Sequence, residues 1–412
     1  MDDESLLKQA KELYIACKLD EAFPLFLKLA ENNQAEAMYF LGEYYAGGYG
    51  HIVRNADKAA YWRAKGKEGG FLLAALNTAY SLPFMSEEAL AICRRCLPEV
   101  RRMAEGGDLF AQNELSDLYM YGIGTEQNVA VGIRLLELSA ERGYWRAIDK
   151  LGDVYHTGEL IEPDEKKAAA FYRRAANMGC KKAMTSLGFM YHLGCGLEED
   201  GRKALYCFRR AREAGDGDGT FMVGRYYMDG LYVKRDEKKG LDCFKEAAAM
   251  GNPAGIWGIG HCFEEGIMVP QDFRKAMACY EKAAHMGLAV ASMALGDCYR
   301  CGKGTKKDLT KAVSLYKDAF EDGSSEAADV IGTMYLVGTE IMPDPDMAYA
   351  WFQKGADRDD AAALYHLGVC ESEGIGTEGD KDKALEYLYR AYRQGFQPAQ
   401  DYLKETLGVT LH

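Results

Sequence analysis

The sequence predicts an all-α solenoid of helix–loop–helix repeats. Three observations carry this. A hydrophobic residue followed by a small one, with an aromatic four positions after the first, recurs every 36 residues, without insertion or deletion, through repeated units from Leu115 to Leu367. A short polar residue stands thirteen positions after these anchors, and a glycine closes most units. A fixed period of this size marks a repeat architecture, in which stacked neighbours bury the apolar face that one hairpin cannot bury alone.

Each element of the unit has a physical reading. The anchors are Leu41-Gly42…Tyr45, Leu115-Ser116…Tyr119, Leu151-Gly152…Tyr155, Leu187-Gly188…Tyr191, Val223-Gly224…Tyr227, Ile259-Gly260…Phe263, Leu295-Gly296…Tyr299, Ile331-Gly332…Tyr335 and Leu367-Gly368. Positions −4, 0 and +4, as in Ala147, Leu151 and Tyr155, share one helical face. The small residue beside the anchor lets a second helix approach closely. A glycine such as Gly158 or Gly194 ends the first helix in the left-handed conformation, which costs glycine no Cβ clash. Asn128, Asp164, Asp200, Asp236, Asp272, Asp308, Asp344 and Asp380 then cap the second helix by accepting its orphan N–H bonds. That helix carries a small residue (Ala168, Ala204, Gly240, Ala276) and an aromatic (Tyr172, Phe208, Phe244, Tyr280, Tyr316, Phe352) for the core. In the register of the closing glycines, Asp359 is the exception.

The chain divides on this register. Residues 1–35 read as an N-terminal helical hairpin acting as a cap, with Leu6, Leu13 and Tyr14 on one helix and Ala22, Phe26 and Leu29 on the other. Residues 36–107 hold two irregular repeats, 108–395 eight regular ones, and 396–412 a C-terminal capping helix with Ala399, Leu403 and Leu407. Repeat 2 departs from the pattern: its anchor is Leu76-Asn77…Tyr80, Pro83 sits in its loop, and Pro98 falls inside its second helix. A proline there removes a hydrogen bond and kinks or breaks the helix. The segment is either a drifted repeat or a bend between an N-terminal lobe and the regular array.

The unit resembles the Sel-like repeat family, relatives of the tetratricopeptide repeats. Repeat 5 shows the motif nearly whole: Ala183, Leu187, Gly188, Tyr191, Gly194, Gly196, Asp200, Lys203, Ala204, Phe208, Ala211 and Gly215. The resemblance is strong over 108–395 and weaker elsewhere. It implies a right-handed α-α superhelix and adaptor or scaffold work through protein contacts, with the outward face of the first helices lining a concave groove. Some secreted members carry one disulfide per repeat or are linked to β-lactam hydrolysis. This chain departs from them, because its cysteines do not recur twice per unit.

Composition narrows the function. The 412 residues carry 50 Lys plus Arg against 63 Asp plus Glu, a net charge of −13. Such a chain is a poor candidate for binding nucleic acid or anionic membrane. No apolar run is long enough to span a bilayer, and the N-terminal stretch lacks the basic and apolar regions of a secretory leader. Twelve cysteines in that context point to thiols in a reducing compartment, and so to the cytoplasm. Cys207, Cys243 and Cys279 share one apolar register position and Cys262, Cys298 and Cys370 another, so these six are expected as buried core residues.

The sequence offers no catalytic set. Cys93-x-x-Cys96 and Cys298-x-x-Cys301 have ligand-like spacing, but neither has a second pair or a histidine at a zinc-motif distance. The Gly-x-Gly pairs, such as Gly194/Gly196, follow a helix rather than a strand and recur as turns, unlike a phosphate loop. Neither cofactor nor metal is called for. The informative surface is the outward face of the first helices, at anchor −5, −2, +2, +5 and +6. It presents Met120, Tyr121, Arg146, Asp153, His156, Lys182, Phe189, His192, Phe221, Arg225, Asp229, Trp257, His261, Glu264, Asp297 and Arg300. From it, the expected partner-binding residues are Tyr121, His156, Phe189, His192, Phe221, Arg225, Trp257, His261 and Arg300, since aromatics with arginine are what interaction hot spots prefer. The expectation is a non-enzymatic adaptor holding a protein or peptide in the groove. The alternatives are a hydrolase of the β-lactamase-like type reported for some relatives and a scaffold using its convex face.

Overall fold

A computed structural model describes residues 2–80, 82–83, 85–338 and 342–409; among them are 23 helices and no strand. Two compact units divide the chain, one reaching Gly251 and the other starting at Asn252. In the first, α1 (Asp3–Ile15) and α2 (Leu19–Glu31) form the N-terminal hairpin. The pairs α3 (Ala35–Gly47) and α4 (Ala56–Glu68), α5 (Leu72–Ala79) and α6 (Glu87–Glu105), and α7 (Leu109–Tyr121) and α8 (Val129–Glu141) follow. Then come α9 (Trp145–Thr157) with α10 (Glu165–Met178), α11 (Lys181–Leu193) with α12 (Gly201–Glu213), and α13 (Gly217–Asp229) with α14 (Glu237–Ala249). The second unit holds α15 (Pro253–Glu265) with α16 (Phe273–Ala284), α17 (Ala289–Cys301) with α18 (Leu309–Glu321), and α19 (Glu326–Val337) with α20 (Pro345–Asp357). It ends with α21 (Ala361–Glu373) and α22 (Lys381–Arg393), followed by the single helix α23 (Gln397–Glu405).

The repeat motif is a set of working contacts. Each cap residue from Asn128 to Asp380 accepts a bond from the second or third backbone N–H of its helix. Its own N–H is held by the first helix: Asp164 N donates to Tyr155 O at 2.8 Å and Asp308 N to Tyr299 O at 2.9 Å. The lysine three positions after the cap lies over the ring of the +4 aromatic. Lys167 sits 4.9 Å from the centre of Tyr155, Lys203 5.4 Å from Tyr191, and Lys311 4.3 Å from Tyr299. One Asp–Lys–aromatic constellation thus sets the loop length in unit after unit. At exposed sites each cation–π contact is worth only ~0.5–1 kcal/mol, so its role here is register more than strength.

The anchor glycine has a steric cause. A Cβ on Gly152 would stand 2.6 Å from the Tyr172 ring, on Gly188 2.5 Å from Phe208, and on Gly296 2.5 Å from Tyr316. The core aromatic of the second helix therefore lies flat on the backbone of the first. Gly296→Val should destabilise the second unit by about 2 kcal/mol, the usual range for overpacking, read as a lower urea midpoint. An unchanged midpoint would mean that Tyr316 has room to move and that close approach is not the reason for glycine.

Two expectations about the irregular region need correction. Pro98 neither breaks nor ends its helix: α6 runs unbroken from Glu87 to Glu105. Pro98 is on the exposed side, and so is Arg94, whose carbonyl loses its partner; water can satisfy it there. The buried stripe of Ala89, Cys93, Cys96, Val100 and Ala104 continues past it. The outward face of repeats 3 and 4 is open only in part, at Tyr121 and His156. Tyr14 of the N-terminal hairpin, fully buried, packs against Phe40 (ring centres 5.0 Å), Phe110 (6.2 Å), Tyr144 (6.3 Å) and Trp145 (6.1 Å). Phe40 meets Phe110 at 4.9 Å and Tyr49 meets Trp145 at 5.1 Å. Repeat units normally touch only their neighbours, so these contacts show the chain bending around α5 and α6. As a result Phe110, at anchor −5, is 4% exposed and Asn113, at anchor −2, 1% exposed. Met120, expected to face outward, is likewise buried, against Gly132 of α8.

Candidate functional site

The bend brings together polar residues that are far apart in sequence. Glu43 on α3, 4% exposed, accepts from Arg63 Nη2 of α4 at 3.0 Å, from Asn77 Nδ2 of α5 at 2.8 Å, and from Arg146 Nη1 of α9. Asn77 is the residue that replaces the anchor glycine in repeat 2, so the departure from the motif supplies a donor to a buried carboxylate. Burial alone would raise the Glu43 carboxyl, but Arg146 and Arg63 hold it below the ordinary value. Next to it, Tyr39 donates to Glu114 Oε1 at 3.3 Å. Burial first, and the Glu43 charge second, push Glu114 up to about 7.

Beside this network the first unit has a cleft of about 570 Å³ at the starts of α9, α11 and α13, under the turn after α1 and the loop after α3. Arg146, Asp149, Asp153 and Lys182 line it. These are the −5, −2 and +2 positions of their anchors, as register places them. Their charges are mostly met within the chain. Lys182 bonds Asp153 Oδ2 at 2.6 Å and lies 3.7 Å from Asp149, and Lys181 donates to the carbonyls of Gly50 at 3.0 Å and Gly215 at 3.3 Å. Burial pushes Asp149 up to about 6, against the pull of Lys182. The cleft is a seam where the N-terminal lobe is tied to the repeats.

The second unit has a different cleft, of about 600 Å³, at the starts of α17 and α19 and beside α15. Trp257, Leu288, Val290 and Met293 form its apolar wall, and Asp297, Asp322 and Glu326 its polar rim. Trp257, Met293, Val290 and Asp297 are again the −2, −5 and +2 positions.

The nine residues expected to bind a partner differ in exposure and in what they touch. Tyr121 is 41% and Phe189 36% exposed; His156, Arg225 and His261 are exposed. Phe189 stands edge-on to the buried Phe208 at 5.2 Å, and Phe221 stacks on Phe244 at 5.3 Å and is half-buried. These two aromatics thus serve the core as well as presenting an edge outward. His192 is tied to Tyr226 Oη at 2.8 Å. Arg300, also among the expected partner-binding residues, is half-buried and bonds Asp297 at 2.9 Å and Tyr316 Oη at 3.1 Å. Only Trp257 of the nine lines one of these two clefts, with His261 against its ring at 5.7 Å. Register reasoning missed Glu43, Asn77 and Glu114, whose meeting depends on the bend, Asp322, which lies in the turn between repeats, and Glu326, which stands at the −5 offset of Ile331, one repeat beyond the outward-face set.

All twelve cysteines are free thiols. Five of the six register cysteines are buried; Cys279 is half-exposed, as are Phe171 and Leu315 at the same position, which lies at the rim of the core stripe. Burial pushes the Cys298 and Cys370 thiols up to about 11. Cys301 is the exposed one. In native labelling with a maleimide, Cys301 should react first and Cys262, Cys298 and Cys370 should stay protected until unfolding. Uniform labelling of all twelve would contradict this packing. The Gly-x-Gly pairs take positive φ at both glycines, and Tyr232 and Met268, in register with the second glycine, do so too, as turn residues.

Helical hairpins of constant period, capped and stacked in this way, define an all-α, solenoid-like repeat protein. The chain belongs to the Sel1 repeat family: the Sel1 repeat model matches residues 35–70, 109–144, 145–180, 181–216, 217–252, 253–288, 289–324, 325–360 and 361–396. No curated protein matches the chain. Among solved structures it is similar to a protective antigen of uropathogenic Escherichia coli displaying an SLR fold, at 25% identity over 94% of this chain and 84% of that one, with a TM-score of 0.46. It is also similar to a Sel1 repeat protein from Oxalobacter formigenes, at 27% identity over 81% of this chain and 99% of that one, with a TM-score of 0.47. No helix among the described residues is long and apolar enough to cross a membrane.

Proposed function

We propose that the protein is a non-enzymatic scaffold that holds a protein or peptide partner on the outward faces of its first helices, in a reducing compartment such as the cytoplasm. The observation that carries this reading is the cleft of the second unit, where Trp257 and Met293, half-buried against core clusters, still line an open wall and Val290 is 44% exposed. Apolar surface of this kind, rimmed by polar groups, favours macromolecular contact. In the first unit the start of the corresponding face is covered by the N-terminal lobe at Phe110 of repeat 3, and Tyr121, His156, Phe189 and Arg225 are what remains exposed along it.

The test is partner capture from the native host with the full chain and two variants. Val290→Glu should weaken capture by about 2 kcal/mol, roughly thirty-fold if the site is a hot spot, with an unchanged melting temperature. Trp257→Ala should lower both affinity and stability, because Trp257 also packs on the cluster of Tyr280, Leu295 and Cys298. Capture that is insensitive to Val290→Glu while the fold is intact would move the partner off this face and favour a scaffold using the opposite one.

A further inference from the structure

Resting on that reading, we infer that the cleft of the second unit is a receptor for a basic protein segment, one that places an arginine or lysine beside an aliphatic or aromatic residue. The lining pairs an apolar wall with three carboxylates, Asp297, Asp322 and Glu326, and contains no Lys, Arg or His. Asp297 is already matched by Arg300 and Tyr316. Asp322 and Glu326 are both exposed on the rim.

The position of Asp322 adds an independent observation. It is the C-cap of α18, the end of a helix where the backbone dipole is already negative and a cation is the favoured neighbour. The cleft also takes in Gly287 and Leu288, just beyond the end of α16. The first turns of α17 and α19 line the same cleft and their positive ends offset the two C-terminal ones, so the negative potential of the rim comes from the carboxylates of Asp322 and Glu326, with no cation in the lining. The apolar wall beside it suits the aliphatic stem of a lysine or arginine, with the charged head reaching the rim. A second copy of this chain, itself at −13, would bring like charge to the rim, as would nucleic acid or an anionic membrane. A basic peptide is the occupant whose charge and shape fit both parts of the lining.

The test is selection from a random peptide display library on the immobilised full chain, run in parallel on Asp322→Asn/Glu326→Gln and on Val290→Glu. The expected result is enrichment of Arg or Lys next to a large apolar residue. A synthetic peptide of the enriched sequence should lose about ten-fold in affinity on the charge-neutralised double variant and weaken as salt is raised. Melting temperatures of both variants should match that of the parent, since these side chains are exposed. Enriched peptides without basic residues that still require Val290 would overturn the basic-segment assignment and leave the scaffold reading standing. Enrichment of basic peptides that bind the double variant equally well would also overturn it. No enrichment on the full chain would overturn both.

Discussion

Arg146→Met should destabilise the first unit by about 3 kcal/mol, the low end of the cost of breaking a buried ion pair. Methionine fills most of the volume, so the loss comes from charge. Glu43, 4% exposed, would keep Arg63 and Asn77 but lose the second guanidinium that balances its burial. The cation–π contact of Arg146 with Tyr49, 5.6 Å from the ring centre, would go as well. Because Glu43 belongs to α3 and Arg146 to α9, hydrogen exchange should rise first in α1 to α3. The double variant Glu43→Gln/Arg146→Met should be less damaged than the single one, since no uncompensated carboxylate remains; this is the non-additivity expected of partners in contact. Measurement is by urea unfolding of all three variants. A loss under about 1 kcal/mol for Arg146→Met would show that water reaches Glu43, and the network would not be what holds the N-terminal lobe in place.

That network also shows where sequence reasoning stops. The fold was legible because it repeats: anchor, glycine, cap, lysine and core aromatic each recur at one offset, so one hairpin's physics is read many times over. Even fine contacts could be anticipated, such as the glycine at 152 or 296 lying under an aromatic twenty positions later. Asp359 shows the register's strength, since it adopts a φ of 58° where its counterparts are glycine. The site was less legible for two reasons. Helical phase gives direction but not cover: in repeat 3, Phe110 is covered by Tyr14 and Phe40, and Glu114 by Tyr39, from the N-terminal lobe, while Tyr121 and His156 stay exposed. No periodic signal could place those residues there, because the bend at α5 and α6 is where the period fails. The second reason is that a cleft between repeats takes residues from helix ends. Asp322, the C-cap of α18, belongs to the turn between α18 and α19 and carries no helical phase that would have singled it out, while Glu326 opens α19 at anchor −5 of Ile331, in a repeat the outward-face reading did not reach. Asn77 was noticed as a departure from the motif, yet its role as a donor to Glu43 requires knowing that α5 packs beside α3.

The same buried cluster makes stability depend on pH in an unusual direction. Glu114, 3% exposed, has its carboxyl pushed up to about 7 by burial and by the charge of Glu43. A carboxyl raised above its unfolded value binds its proton more tightly in the folded state, so its contribution is fully present below the unfolded value near 4.5 and is lost as pH rises through 7. Each tenfold gain in proton affinity on folding is worth roughly 1.4 kcal/mol, which makes the loss on the order of 3 kcal/mol by pH 8. Asp149, raised to about 6, loses its contribution the same way between its unfolded value near 4 and pH 6. The protein should therefore be more stable at pH 5 than at pH 8, the reverse of what a chain of exposed, salt-bridged carboxylates would show. Glu114→Gln keeps the shape and mimics the protonated form. It should raise the urea midpoint at pH 8, by the equivalent of about 2–3 kcal/mol, and change it little at pH 5. Tyr39 can still donate to the amide oxygen, so the existing hydrogen bond is retained. Equal effects of Glu114→Gln at the two pH values would mean that Glu114 does not titrate in this range, and the pH dependence would have to be sought at Asp149 alone.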